Sequence, residues 1–144
     1  MNSVSLSSRR LVSRLAVHRQ QHLATVVSIR RSMGTITQGV EFDTIAREWR
    51  CKWSKENDME SLQRAQKALE DILADLKDTA GCKAVHRVVC GGHLDFKVIT
   101  SVSADQFPAW KDAEFAPEAS FLTKLSTIDG ITQIETQTYT FMEV

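Results

Sequence analysis

The chain has no long apolar run, and that absence excludes more than any motif it carries. No stretch of its 144 residues could serve as a secretory core or a membrane span. Cysteine is scarce. Three residues (Cys51, Cys82, Cys90), an odd number without a secretory signal, read as reduced thiols and not as a disulfide framework. Acids and lysine are missing from the first 34 residues, which hold six arginines (Arg9, Arg10, Arg14, Arg19, Arg30, Arg31). The formal net charge of zero therefore hides an acidic body: 18 − 6 = 12 basic against 18 acidic residues, a net of −6. Such a surface is a poor partner for nucleic acid.

The basic segment is also rich in Ser, and Leu11, Val12 and Leu15 would separate from Arg and His on a helix. Arg-rich, Ser-rich, acid-free and amphipathic is the composition of a mitochondrial transit peptide, with processing near Arg30-Arg31-Ser32-Met33 and a matrix destination. The alternative is a basic arm for nucleic acid, but no aromatic side chain interleaves to stack on bases. The organisation expected is a targeting segment over residues 1–34, a polar linker over 35–44 and one ligand-binding domain over 45–144.

Within that domain, Ile45, Trp49, Cys51 and Trp53 alternate with polar residues, as in a strand with one buried face. Asn57-Asp58 offers an N-cap. Leu62, Ala65, Leu69, Ile72, Leu73 and Leu76 then fall at helical spacing, and Gly81 lies just past the end, where a left-handed cap residue is expected. Two β-branched runs, Ala84–Cys90 and Phe96–Val102, flank Gly91-Gly92-His93-Leu94-Asp95 and predict a hairpin. Phe107-Pro108 opens a helical region that Ala116-Pro117 divides, and Asp129-Gly130 turns the chain into a Thr-rich strand over 131–142. Strand, helix, strand, strand, helix, strand is the ferredoxin-like order: α+β, a four-stranded antiparallel sheet with two helices on one face. The other face reads as apolar and open, so a second copy is expected to cover it, sheet against sheet, as a dimeric α+β barrel.

The glycine pair is expected to provide positive φ and bare backbone N–H groups, with Asp95 beside them. Such a turn could hold a zwitterion, N–H groups to a carboxylate and Asp95 to an amine. From Val85 onward the chain resembles the effector-binding domain of the Lrp/AsnC regulators. Gly92-His93-Leu94-Asp95 matches their Gly-x-x-Asp, Phe96-Lys97-Val98-Ile99 the strand after it, and Asp129-Gly130-Ile131 with Glu135–Tyr139 the closing segment. The resemblance implies amino-acid effectors bound near that loop in homodimers or larger assemblies. It points to Gly91, Gly92, His93 and Asp95 as ligand-binding positions. The helix-turn-helix of those regulators has no counterpart here, so a stand-alone sensing module is implied.

Other chemistry competes with plainer uses of the same residues. His86-x3-Cys90-x2-His93 has metal-ligand residue types but lacks a fourth ligand, and no metal or other cofactor is expected. No third group orients a Cys90–His86 pair for nucleophilic catalysis, and Asp95 could simply cap its hairpin. The same barrel hosts small enzymes of monooxygenase-like or stress-responsive type. On that alternative His86, His93, Trp49, Trp53 and Trp110 are the candidates. A structural subunit of an organellar complex is the third reading. The sequence favours a binding module over an enzyme.

Overall fold

The computed structural model describes residues 33–144, so the Arg-rich segment lies outside the described residues except for Met33 and Gly34. The elements are β1 (Gly34–Thr37), β2 (Val40–Phe42), β3 (Thr44–Lys52), α1 (Glu56–Lys77), β4 (Cys82–Cys90), β5 (Asp95–Ser103), α2 (Phe107–Asp112), α3 (Glu118–Ser126) and β6 (Thr132–Phe141). From β3 onward the order is the expected βαββαβ, with the second helix in two pieces on either side of Pro117. The main sheet runs β4-β5-β3-β6, antiparallel throughout. None of the described helices is long and apolar enough to cross a membrane.

Three local expectations are corrected. Residues 35–44 are not a plain linker: β1 and β2 pair as a hairpin across Gln38-Gly39, with Gly39 at φ 77°. Asn57-Asp58 is not an N-cap. Asn57, Asp58 and Met59 take left-handed φ values of 50–61°, and the α1 cap position falls on Lys55 without a side-chain bond. Ser61 ties down this entry instead, its hydroxyl accepting the Ser54 N–H at 2.9 Å. Third, Gly81 has the positive φ foreseen (74°) but stands beyond the helix cap at Asp78, at the turn into β4. A Cβ there would meet the Ser103 hydroxyl at 2.5 Å, so close backbone approach also demands glycine.

Residues opposite each other in the antiparallel ladders share a face, so register separates the sheet's two sides. Ile45, Arg47, Trp49 and Cys51 of β3 join Phe96, Val98, Thr100 and Val102 of β5 under the helices. Against them pack Ala65, Ala68, Leu69 and Leu76 of α1, Phe107 and Trp110 of α2, and Phe121 and Leu125 of α3. Trp49 lies at the centre, its ring 5.2 Å from Phe121.

The opposite face is less apolar than expected. Its rows bring together Glu48, Arg50 and Lys52 of β3, Asp95, Lys97 and Ile99 of β5, His86 and Val88 of β4, and Glu135, Tyr139 and Phe141 of β6. Apolar residues thus mingle with alternating charges. The alternation of a strand sends one residue in two to each side, and on this side the charged residues neutralise one another across strands.

Candidate functional site

The Gly91–Asp95 turn connects β4 to β5, as foreseen, but its chemistry differs from the expectation. Gly91 and Gly92 are not among the positive-φ residues; Leu94 carries the left-handed conformation, at φ 58°. Both glycines face open space. Asp95 already meets a cation: Lys52 Nζ lies 2.6 Å from its carboxylate and donates to the His93 carbonyl at 2.8 Å. The Lys52 hydrogen bond, more than any other contact, holds the Asp95 carboxyl below the usual range. His93 donates its backbone N–H to Cys90 Sγ at 3.3 Å, and this bond leads the effects that draw the Cys90 thiol pKa down. The residues named from the sequence therefore sit together, with Lys52 as an unforeseen partner. His86 does not join them. It shares a face with Cys90 four residues away, a separation of about 13 Å along a strand, too far for a common metal.

Toward the sheet centre stands a buried carboxylate. Glu48 is 6% exposed although no helix covers this face. Tyr139 donates its hydroxyl to Glu48 Oε2 at 3.0 Å, while Arg50 Nη1 and Lys97 Nζ lie 3.6 and 4.0 Å from Oε1. Burial of Tyr139, with the bond to Glu48 second, pushes its phenol up to about 12. The folded-state value lies above the usual 10, so this group contributes stability below pH 10 that is lost as pH rises through about 12. Tyr139 is the chain's single tyrosine. Its phenolate absorbance should therefore appear in one step with a midpoint near 12 in the folded protein. A midpoint near 10 would mean that Tyr139 is neither buried nor bonded to Glu48.

At the other end of the same face lies a cleft of about 650 Å³. Its floor is made of small side chains, Thr44, Ala84 and Ser101, one from each of β3, β4 and β5. Lys83 and His86 form one wall, and Phe141, Met142 and Glu143 the other. Lys83 donates to Thr44 Oγ1, and its Nζ lies 3.4 Å from the Asp43 carboxylate. Thr44 in turn donates to Asp43 Oδ1 at 2.7 Å. This mesh fixes the lysine and leaves His86, an exposed imidazole with the residue type for proton transfer, facing the cleft. Its volume is that of a small-molecule site, and Phe141 and Met142 give it an apolar side opposite the polar groups of Lys83 and His86. Of these residues the sequence had singled out only His86.

The tryptophans have other work. Trp49 and Trp110 are buried in the core, and Trp53 is 5% exposed with its indole N–H donating to the Asp95 carbonyl at 3.2 Å. Trp49 donates to Glu118 Oε2 at 2.6 Å, and Arg47 grips the same carboxylate from Nε and Nη2 at 2.8 and 2.9 Å. Arg47 also lies 4.2 Å above the Phe115 ring. This cluster pins the start of α3 to the sheet. Cys51, beneath it, is a buried thiol whose pKa burial raises to about 11.

No protein-family model matches the chain, and no curated protein matches it either. Solved structures do. A Deinococcus radiodurans protein assigned as an antibiotic biosynthesis monooxygenase superposes with a TM-score of 0.52 at 12% identity, over 69% of this chain and 94% of that one. A Caulobacter crescentus protein with the same assignment gives 0.50 at 14% identity, over 71% and 92%. A Mycobacterium tuberculosis protein gives 0.50 at 8% identity, over 70% and 97%. At these identities the likeness is one of fold: the chain has the ferredoxin-like α+β architecture from which dimeric α+β barrels are built.

Proposed function

We propose that this protein is a homodimeric α+β-barrel enzyme that acts on a small, largely apolar organic molecule held in the Thr44–His86 cleft. The observation that carries this reading is the cleft itself: about 650 Å³ with a flat floor, one apolar wall and one wall bearing His86. His86 acts as the proton acceptor, beside a Lys83 that Thr44 and Asp43 hold in place. The assignment of two fold neighbours as monooxygenases agrees with this reading by analogy of architecture. The sheet's open face, with Arg50, Lys52 and Lys97 set among Glu48, Asp95 and Glu135, is self-complementary in charge, as a two-fold contact requires. The amino-acid-sensing reading suggested by the Lrp/AsnC resemblance shares this fold but has less support. Its anchoring carboxylate, Asp95, is engaged by Lys52, and Gly91 and Gly92 beside it face open space.

The test is a panel of small aromatic and enolisable carbonyl compounds, followed by melting temperature and oxygen uptake. A binder at a hundred times its dissociation constant stabilises the fold by about 2.7 kcal/mol, an easily measured shift. At least one compound should raise the melting temperature and be consumed. A flat panel at millimolar concentration would overturn the reading.

The composition of residues 1–34 supports a mitochondrial destination for this activity. A fluorescent fusion of the full chain should enter mitochondria, and deletion of residues 1–34 should leave it in the cytosol. Identical distributions would remove the targeting role.

A further inference from the structure

The cleft has a floor and two walls but no roof, and the β1–β2 hairpin has apolar side chains but nothing to rest on. We infer that the hairpin is an arm that closes the cleft of a second copy, so that each site is completed by the partner. This rests on the homodimer and cleft proposed above and adds the segment that covers the site.

The arm spans Gly34–Phe42, and its two strands pair with each other far more than with any other element. Ile36 and Val40 are 64% and 47% exposed, and Met33 at its root is exposed as well. An isolated two-stranded hairpin is marginal in water and needs an apolar surface to pack on. Its own domain does not provide one, since those side chains remain exposed. The chain leaves β2 and enters β3 at Asp43-Thr44, which line the cleft, so the arm springs from the rim of the site. Phe141 and Met142, also substantially exposed, extend the apolar surface at the same end of the sheet.

Size and charge agree. The cleft crosses four strands, three spacings of about 4.8 Å, or about 14 Å; a four-residue strand of the arm spans about 13 Å. The arm's single charged residue is Glu41, and the β4 wall of the cleft carries Lys83, whose partner in its own chain is Asp43. Two sheets packed face to face bring each arm root to the edge of the other copy's open face. An arm laid across the partner's cleft buries Ile36 and Val40 against Phe141 and Met142. It also sets Glu41 toward the Lys83 side and shuts the bound molecule away from water.

Pairwise crosslinking tests this. One tagged full-length copy carries Ile36→Cys and a differently tagged copy Met142→Cys, both with Cys82→Ser and Cys90→Ser so that of the described cysteines only buried Cys51 remains. After subunit exchange and mild oxidation, a mixed disulfide-linked dimer should appear on a denaturing gel, about half of the material being its ceiling at random exchange, and it should be missing from either variant oxidised alone. A chain carrying both substitutions should link between copies and not close on itself. Closure within one chain would overturn the inference by placing the arm over its own cleft. A dimeric solution mass with no crosslink would overturn it too, leaving the proposed function standing. A monomeric mass would remove the homodimer as well.

Discussion

Trp49→Ala should lower the stability of the domain by about 3–5 kcal/mol, the usual range for truncating a buried tryptophan. The side chain is 1% exposed and sits at the centre of the sheet's helix side, its ring tilted 34° against Phe121. Alanine leaves a void that Phe121, Leu125 and Val98, themselves fully buried, can fill only in part. It also removes the indole donor from Glu118, although Arg47 still clamps that carboxylate with two bonds. Native domains are stable by only about 5–15 kcal/mol, so this one substitution removes about a fifth or more of the total. In a domain of this size the melting temperature should fall by more than about 10 °C. Trp49→Phe separates the two contributions. It keeps an aromatic ring against Phe121 and loses the N–H, for about 1–3 kcal/mol. Urea denaturation in which both variants lose less than about 1 kcal/mol would contradict the placement of Trp49.

His86→Ala should slow the reaction found with the compound panel by about 10²–10⁴-fold, the range lost with a positioned general base. That is about 2.7–5.4 kcal/mol of barrier. His86 is exposed in the described structure and buries little against its own domain, so the variant should fold and melt close to wild type. Binding should survive, because Phe141, Met142 and the small-residue floor are untouched. The signature is therefore a fall in kcat with the ligand-induced melting shift retained. Lost turnover together with lost binding would make His86 a packing residue of the cleft. Unchanged turnover would place the chemistry elsewhere.

The architecture was legible because each main element declares its period locally. Trp49, Cys51 and Trp53 alternate, Leu62 to Leu76 recur at helical spacing, and the order of these segments leaves few topologies. The β1–β2 hairpin escaped notice because Thr35–Phe42 is too short for a period to emerge. Its one signal is a two-residue Gln38-Gly39 turn between Ile36 and Val40. The open face reads as apolar from the sequence because a strand's alternation does not show which residues will stand beside it. Glu48 is tolerable only with Tyr139, Arg50 and Lys97 around it, and two of these come from other strands.

The turn at Gly91–Asp95 was found, yet its electrostatics were not, because Lys52 lies 43 residues before Asp95 and meets it only through the β3–β5 register. The cleft was harder still. Asp43, Lys83 and Phe141 belong to no motif and converge only when four strands are laid side by side. His86 alone could be suspected, as an imidazole in an otherwise β-branched strand.

The account turns on two copies closing their open sheet faces over the Thr44–His86 clefts, and sedimentation equilibrium of the protein at micromolar concentration tests it most directly. A mass of two chains, each 16.2 kDa before any processing, or a multiple of that pair, is the predicted result. A single-chain mass that persists at tens of micromolar, with Tyr139 and Lys97 open to solvent labelling, would contradict it.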